Sequence, residues 1–158
     1  MELKEGIKAP DFTLQDSQGN NVALSNFKGK NVILYFYPKD NTKGCTLEAI
    51  NFRDNYEEIK KTDTIILGVS KDSVKSHVSF INKYNLPFIL LSDEEGKVCE
   101  LYGVWKMKKR YGREYMGIER TTFLIDKKGN IIKKFPKVKV PGHVEEIMEQ
   151  LSFASRTK

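Results

Sequence analysis

Two kinds of hydrophobic spacing alternate along the chain. Short, mostly apolar runs at residues 32–37, 64–69 and 88–91, each bounded by polar or turn residues, read as buried strands. Between them, apolar residues recur at steps of three and four. Ala49, Phe52, Tyr56 and Ile59 predict a helix from Cys45 to about Lys61, and Val74, Val78 and Ile81 predict another. Asp72 is placed as the N-cap of that second helix, which Asn85-Leu86-Pro87 ends. Ser92-Asp93 starts a brief helix with Val98, Cys99 and Leu101, over by Gly103. Residues 104–116 are basic and irregular, and read as a loop.

Gly-containing turns mark two hairpins. Asp16–Asn20 separates residues 9–14 from 21–24 near the N-terminus, and residues 126–129 separate strands 121–125 and 130–135. After Pro141-Gly142, Val144, Ile147, Met148 and Leu151 outline a last amphipathic helix, with Glu145 and Glu146 suited to its first turn. Residues 152–158 read as a frayed tail. Strands alternating with helices, then a hairpin and a helix, describe an α/β fold: a central mixed β-sheet flanked by helices, with an N-terminal β-hairpin. The 158 residues contain no repeat or linker and read as one domain.

Composition narrows the class. Apolar residues at 39% and charged residues at 30% suit a globular chain with a charged surface. No run approaches the ~20 apolar residues of a membrane span, and Met1-Glu-Leu-Lys-Glu5 has no signal-peptide character, so a cytoplasmic protein is expected. The net charge is +6, with basic residues spread over the chain and local excesses at residues 106–113 and 127–139. No nucleic-acid-binding motif accompanies these lysines, so no nucleic-acid partner is expected; binding to DNA or RNA would be salt-dependent. His77, read as partly exposed on its helix, and His143, near a helix start, are far from each other and from both cysteines in sequence. No metal site is expected.

Candidate chemistry lies at Cys45. It follows the strand 32–37 and the Pro38–Gly44 loop and begins a helix, where unpaired N–H groups and the dipole favour an anion. The thiolate is the reactive form of cysteine. Gly44 leaves room beside it, Thr42 can turn a hydroxyl toward the sulfur or a substrate oxygen, and Pro38 stiffens and screens the loop. Lys39 and Lys43 read as solvated, so a local cation is missing. Glu48 stands where a Cys-x-x-Cys motif would need its second cysteine, which argues against disulfide exchange.

The spacing Pro38-x-x-x-Thr42-x-x-Cys45 resembles the active-site signature of the peroxiredoxins. Tyr37-Pro-Lys-Asp40 and Gly44-Cys-Thr-x-Glu-Ala49 resemble the Q-type, or bacterioferritin comigratory protein, branch. So do Ala9-Pro-Asp-Phe12, Leu91-Ser-Asp93, Tyr102-Gly-Val-Trp105 and Met116-Gly-Ile-x-Arg120-x-Thr-Phe-Leu-Ile-Asp126. The resemblance implies a thioredoxin-like fold and a thiol peroxidase without metal or organic cofactor. It implies Cys45 as the peroxidatic cysteine, attacking hydrogen peroxide or an alkyl hydroperoxide to become a sulfenic acid. Thr42 and Arg120 would hold the peroxide, Glu48 would orient the arginine, and Pro38 would shield the pocket. Many members carry a second cysteine five residues after the first; here that position is Ile50, and residues 73–84 hold none either.

Cys99 is then the one intramolecular candidate for a resolving cysteine, and its apolar neighbours read as packing. A one-cysteine cycle is expected, resolved by an external thiol: thioredoxin, a glutaredoxin-like protein or a small thiol. The branch implies a monomer or weak dimer. A peroxide-sensing module is the alternative, and it would stop after one equivalent of oxidant where an enzyme would turn over.

Overall fold

Seven strands form one mixed sheet in the computed structural model, which describes residues 3–156 and side chains as far as Ser152. β3 (Asn31–Phe36) is central, parallel to β4 (Thr64–Ser70) and antiparallel to β8 (Thr121–Ile125). Outside β4 lie β5 (Ile89–Ser92) and the antiparallel hairpin of β1 (Thr13–Gln15) and β2 (Asn21–Ala23). Outside β8 lies its hairpin partner β9 (Ile131–Phe135), giving the order β2-β1-β5-β4-β3-β8-β9. The unbroken apolar runs are explained by burial of the central strands on both faces.

Side chains alternate across β3 and so divide the core in two. Ile33, Tyr35 and Tyr37 pack with residues of α1 (Lys43–Asp54), α2 (Tyr56–Lys60), α3 (Val74–Tyr84) and α5 (His143–Arg156). Val32, Leu34 and Phe36 pack the other way, with Phe12, Leu24 and residues on and around α4 (Lys97–Leu101). The first core includes Cys45 and the second Cys99.

Several expectations need correction. The helix expected to run to Lys61 breaks at Asn55, which leaves helical geometry at φ −107°, ψ 8°. Its side-chain amide donates to the Asn51 carbonyl at 2.8 Å, a local bond of the kind that competes with helix continuation. Ser73, not Asp72, caps α3, accepting from the Ser76 N–H at 3.1 Å. The buried side of α3 carries His77 and Phe80, with Val78 38% exposed. Residues 104–116 are no loop: β6 (Trp105–Arg110) and β7 (Arg113–Ile118) form a separate antiparallel ribbon. Its two-residue turn, Tyr111-Gly112, takes φ of 51° and 76°, the left-handed pair that suits a tight hairpin. The Lys71 ammonium sits 4.1 Å from the Trp105 ring centre at the ribbon's base, a cation–π contact. The expected frayed tail is helical to Arg156; residues 157–158 lie outside the described residues. Among the described residues no helix is long and apolar enough to cross a membrane.

Candidate active site

β3 delivers the chain to the carboxyl edge of the sheet, and the turn after Tyr37 feeds α1. Thr42 is the N-cap of that helix, in extended geometry, and Cys45 is its third residue. Helix geometry therefore puts the two in one turn, where the first N–H groups have no partner within the helix. The Thr42 hydroxyl donates to the Lys39 carbonyl at 2.8 Å, leaving its oxygen lone pairs as acceptors. Cys45 is 2% exposed.

The missing cation arrives from far along the chain. Arg120 sits between β7 and β8, its carbonyl accepting from the Val138 N–H at 2.9 Å. One guanidinium nitrogen, Nη2, reaches the Cys45 sulfur at 3.4 Å, and the other, Nη1, donates to Glu48 Oε1 at 2.7 Å. Glu48 lies one helical turn after Thr42–Cys45, on the same buried side of α1 as Cys45 and Ala49. Gly44 is explained by the same contact. A β-carbon there would stand 3.1 Å from Arg120 Nη2, so the absent side chain makes room for the guanidinium.

Burial and charge act differently on the two partners. At Glu48, 1% exposed in its side chain, loss of water outweighs the pull of Arg120 and raises the carboxyl pKa to about 7. At Arg120, less deeply placed, burial opposes the charge, but attraction to Glu48 and Cys45 together prevails and raises its pKa. Glu48 Oε2 and the Tyr35 hydroxyl are both buried without a hydrogen-bond partner.

Pro38 is half-buried and, with Trp105, Lys108, Tyr115, Met116 and Ile118, lines a groove of about 360 Å³ between the loop and the ribbon. Burial and the nearby Arg120 lower the Lys108 pKa. Cys99 stands apart. It is fully buried in the opposite core, and burial first, then the Asp93 carboxylate, push its thiol pKa up.

Of the two histidines, only His77 differs from expectation. His77 is fully buried, bonded to Asp40 Oδ2 through Nδ1 at 2.7 Å and to the Leu91 carbonyl through Nε2 at 3.0 Å. His143 does begin a helix, but is buried, with Nε2 at 2.8 Å from the Thr122 hydroxyl. Asp40, Asp72 and His77 bring donor atoms within 4.8 Å of one another, and all three are engaged in hydrogen bonds. In sequence, Asp40 stands out only as the end of the Tyr37-Pro-Lys-Asp40 motif and otherwise looks like an ordinary turn aspartate. Its signal was the spacing of Ser76-His77 on a helix that follows the second buried strand.

The chain from residue 6 to residue 134 matches the model of the AhpC/TSA family. It is 56% identical over 151 residues to a putative peroxiredoxin Bcp of Coxiella burnetii, covering 96% of this chain and 100% of the relative. It is 54% identical to peroxiredoxin Bcp of Bacillus subtilis, covering 96% of each. Among solved structures, a cysteine-to-serine mutant of Xylella fastidiosa PrxQ superposes with a TM-score of 0.93 at 36% identity, over 98% of this chain and 99% of that one. The bacterioferritin comigratory protein of Xanthomonas campestris, studied as trapped intermediate and ligand complexes for its alkyl peroxide reduction, gives 0.89 at 37%, over 96% and 99%.

Proposed function

Since the chain belongs to the AhpC/TSA family and is a peroxiredoxin, a thiol peroxidase of thioredoxin-like fold, we propose that Cys45 is its peroxidatic cysteine and turns over in a one-cysteine cycle. The observation that carries this reading is the Arg120 guanidinium, 3.4 Å from the Cys45 sulfur and fixed from behind by Glu48. A fixed cation beside the sulfur stabilises both a thiolate and the oxygen anion that leaves.

The substrates are hydrogen peroxide and alkyl hydroperoxides. The Cys45 thiolate attacks the terminal peroxide oxygen, forming the S–O bond as the O–O bond breaks. Cys45 leaves as a sulfenic acid, and the remaining hydroxide or alkoxide takes a proton from solvent. Arg120 donates to the peroxide oxygens. Thr42, whose own proton is committed to Lys39, accepts from the peroxide O–H and aligns it with the sulfur. Glu48 orients Arg120, Gly44 makes room for it, and Pro38 keeps water from the sulfur. The sulfur itself carries the two electrons, so no cofactor enters the cycle.

An external thiol then attacks the sulfenic acid, releasing water, and a second thiol frees Cys45 from the mixed disulfide. Thioredoxin, a glutaredoxin-like protein or a small thiol fits that role, and a reducing, cytoplasmic compartment supplies it. Cys99 is assigned no resolving role, since the sheet stands between the two sulfurs. We read residues 1–158 as one such domain acting as a monomer or weak dimer.

Mass spectrometry after one equivalent of peroxide tests the cycle. A sulfenic acid on Cys45 is the expected product, and a Cys45–Cys99 disulfide would overturn the one-cysteine reading. Cys45→Ser should abolish peroxide consumption; unchanged turnover would refute the role of Cys45. Sustained consumption of excess peroxide with a thiol reductant separates an enzyme from a sensor that stops after one equivalent.

A further inference from the structure

The turn that carries Thr42 has little apolar surface with which to hold itself. Lys39, Asn41 and Thr42 are exposed, and Asn41 sits at φ 62°, a left-handed conformation that favours other chain geometries. Asp40 alone points inward, 4% exposed. Its Oδ1 accepts from the Tyr37 hydroxyl at 2.6 Å, and its Oδ2 accepts from the Ser76 hydroxyl at 2.8 Å and faces His77 Nδ1 at 2.7 Å. Its backbone N–H donates to Asp72 Oδ2 at 2.7 Å, which also receives the Ser70 hydroxyl. One residue thus ties the turn to Tyr37 just after β3, to Asp72 just after β4 and to α3.

His77 bridges two elements. Its Nε2 lies 3.0 Å from the Leu91 carbonyl and its Nδ1 2.7 Å from the Asp40 carboxylate. The result is a hydrogen-bonded pair, sealed from water at 0% and 1% side-chain exposure. An apolar residue at position 77 would suit the buried face of α3 at less desolvation cost. Such a pair fixes direction as well as distance, and Thr42, whose hydroxyl bonds the carbonyl of Lys39 beside Asp40, receives that direction.

We propose that Asp40 and His77 are positioning residues of the peroxidase site: their buried contact sets the 38–42 turn, and through it the Thr42 hydroxyl, in register with Cys45. The inference rests on the reading of Thr42 and Cys45 given above, and the experiment separates the two. The second-order rate of Cys45 oxidation by hydrogen peroxide is measured in Asp40→Asn, His77→Gln, Thr42→Val and the Asp40→Asn/Thr42→Val double variant. Alkylation of Cys45 by iodoacetamide, a reaction that makes no use of Thr42, serves as the control.

Asp40→Asn should slow oxidation up to about a hundredfold, the scale of an ångström-level misplacement, while alkylation keeps its wild-type rate. His77→Gln, which can still donate to Asp40, should recover part of the loss. In the Thr42→Val background, Asp40→Asn should cost nothing further, since coupled positions are not additive. Oxidation at the wild-type rate in Asp40→Asn, or losses that simply add, would overturn the inference while leaving the role of Cys45 intact. A full rate in Thr42→Val would overturn the inference and the role given to Thr42 together. Should Asp40→Asn not fold, Ser76→Ala removes one donor to the same carboxylate and enters the cycle in its place.

Discussion

Cys45 and Cys99 lie on opposite faces of the central sheet, one carried by α1 and the other by α4. A disulfide needs Cα atoms within about 7 Å, so bridging them would require the sheet to come apart. Cys99→Ser should therefore keep wild-type peroxide turnover with a small-thiol reductant. Its stability should fall by about 1 kcal/mol, because a hydroxyl replaces a thiol in a largely apolar site. Steady-state kinetics and denaturant unfolding check both. Loss of turnover at unchanged folding would give Cys99 a redox role that this arrangement denies it.

Arg120 joins a strand end to the first turns of α1 by touching both Cys45 and Glu48. Arg120→Met should lower kcat/KM for hydrogen peroxide by ~100- to 1000-fold, the usual loss when one preorganised donor is removed. Arg120→Lys should rescue little, because one ammonium cannot make two directed contacts on different residues. Stopped-flow oxidation of Cys45 reads both.

Gly44→Ala tests the same clamp from its other side. The new methyl would come 3.1 Å from Arg120 Nη2, so the guanidinium that contacts the sulfur has to give by a few tenths of an ångström. Peroxidase activity should drop while the melting temperature stays near wild type. Gly68→Ala should do the reverse. There the added carbon meets Leu90 at 2.8 Å and Tyr35 at 2.9 Å, overpacking that costs about 1–3 kcal/mol.

Glu48 makes stability depend on pH. Its carboxyl pKa rises from 4.5 to about 7 because folding removes it from water, so the folded state holds its proton more tightly than the unfolded chain. The stabilisation is complete below 4.5 and is lost as pH climbs through 7. Between those values the wild type should lose up to about 1.4 kcal/mol per pH unit relative to Glu48→Gln. Urea titrations of both proteins across that window read the difference. A gap that widens in the wild type's favour with rising pH would mean that Arg120 outweighs burial.

How much of this was legible follows from where burial leaves a mark. The central strands were readable because β3 and β4 are buried on both faces and have apolar runs to match. The ribbon was not, because Met107, Tyr115 and Met116 remain exposed and Lys106, Lys108 and Lys109 interrupt any apolar alternation. Its surviving signal was Tyr111-Gly112, a turn pair read as part of a basic loop. In α3 the apolar spacing points to Val78 rather than His77, although the imidazole, paired with Asp40, occupies the core. In the site, the Pro38–Cys45 spacing is local and visible in sequence. The contact between Arg120 and Cys45, 75 residues apart, depends on β8 lying beside β3, and only the resemblance pointed to it.

The 2% exposure of Cys45 sorts reactants by size. A peroxide presents two oxygens and can approach a sulfur that is nearly covered, whereas a reductant protein must bring its own cysteine within bonding distance. In the proposed cycle, the covered sulfur suits a small peroxide, and a protein reductant reaches it only once the first turn of α1 moves aside. Such a movement would part the Cys45 sulfur from Arg120. Saturation with reductant should therefore reveal a ceiling set by the protein's own motion, independent of the thiol supplied.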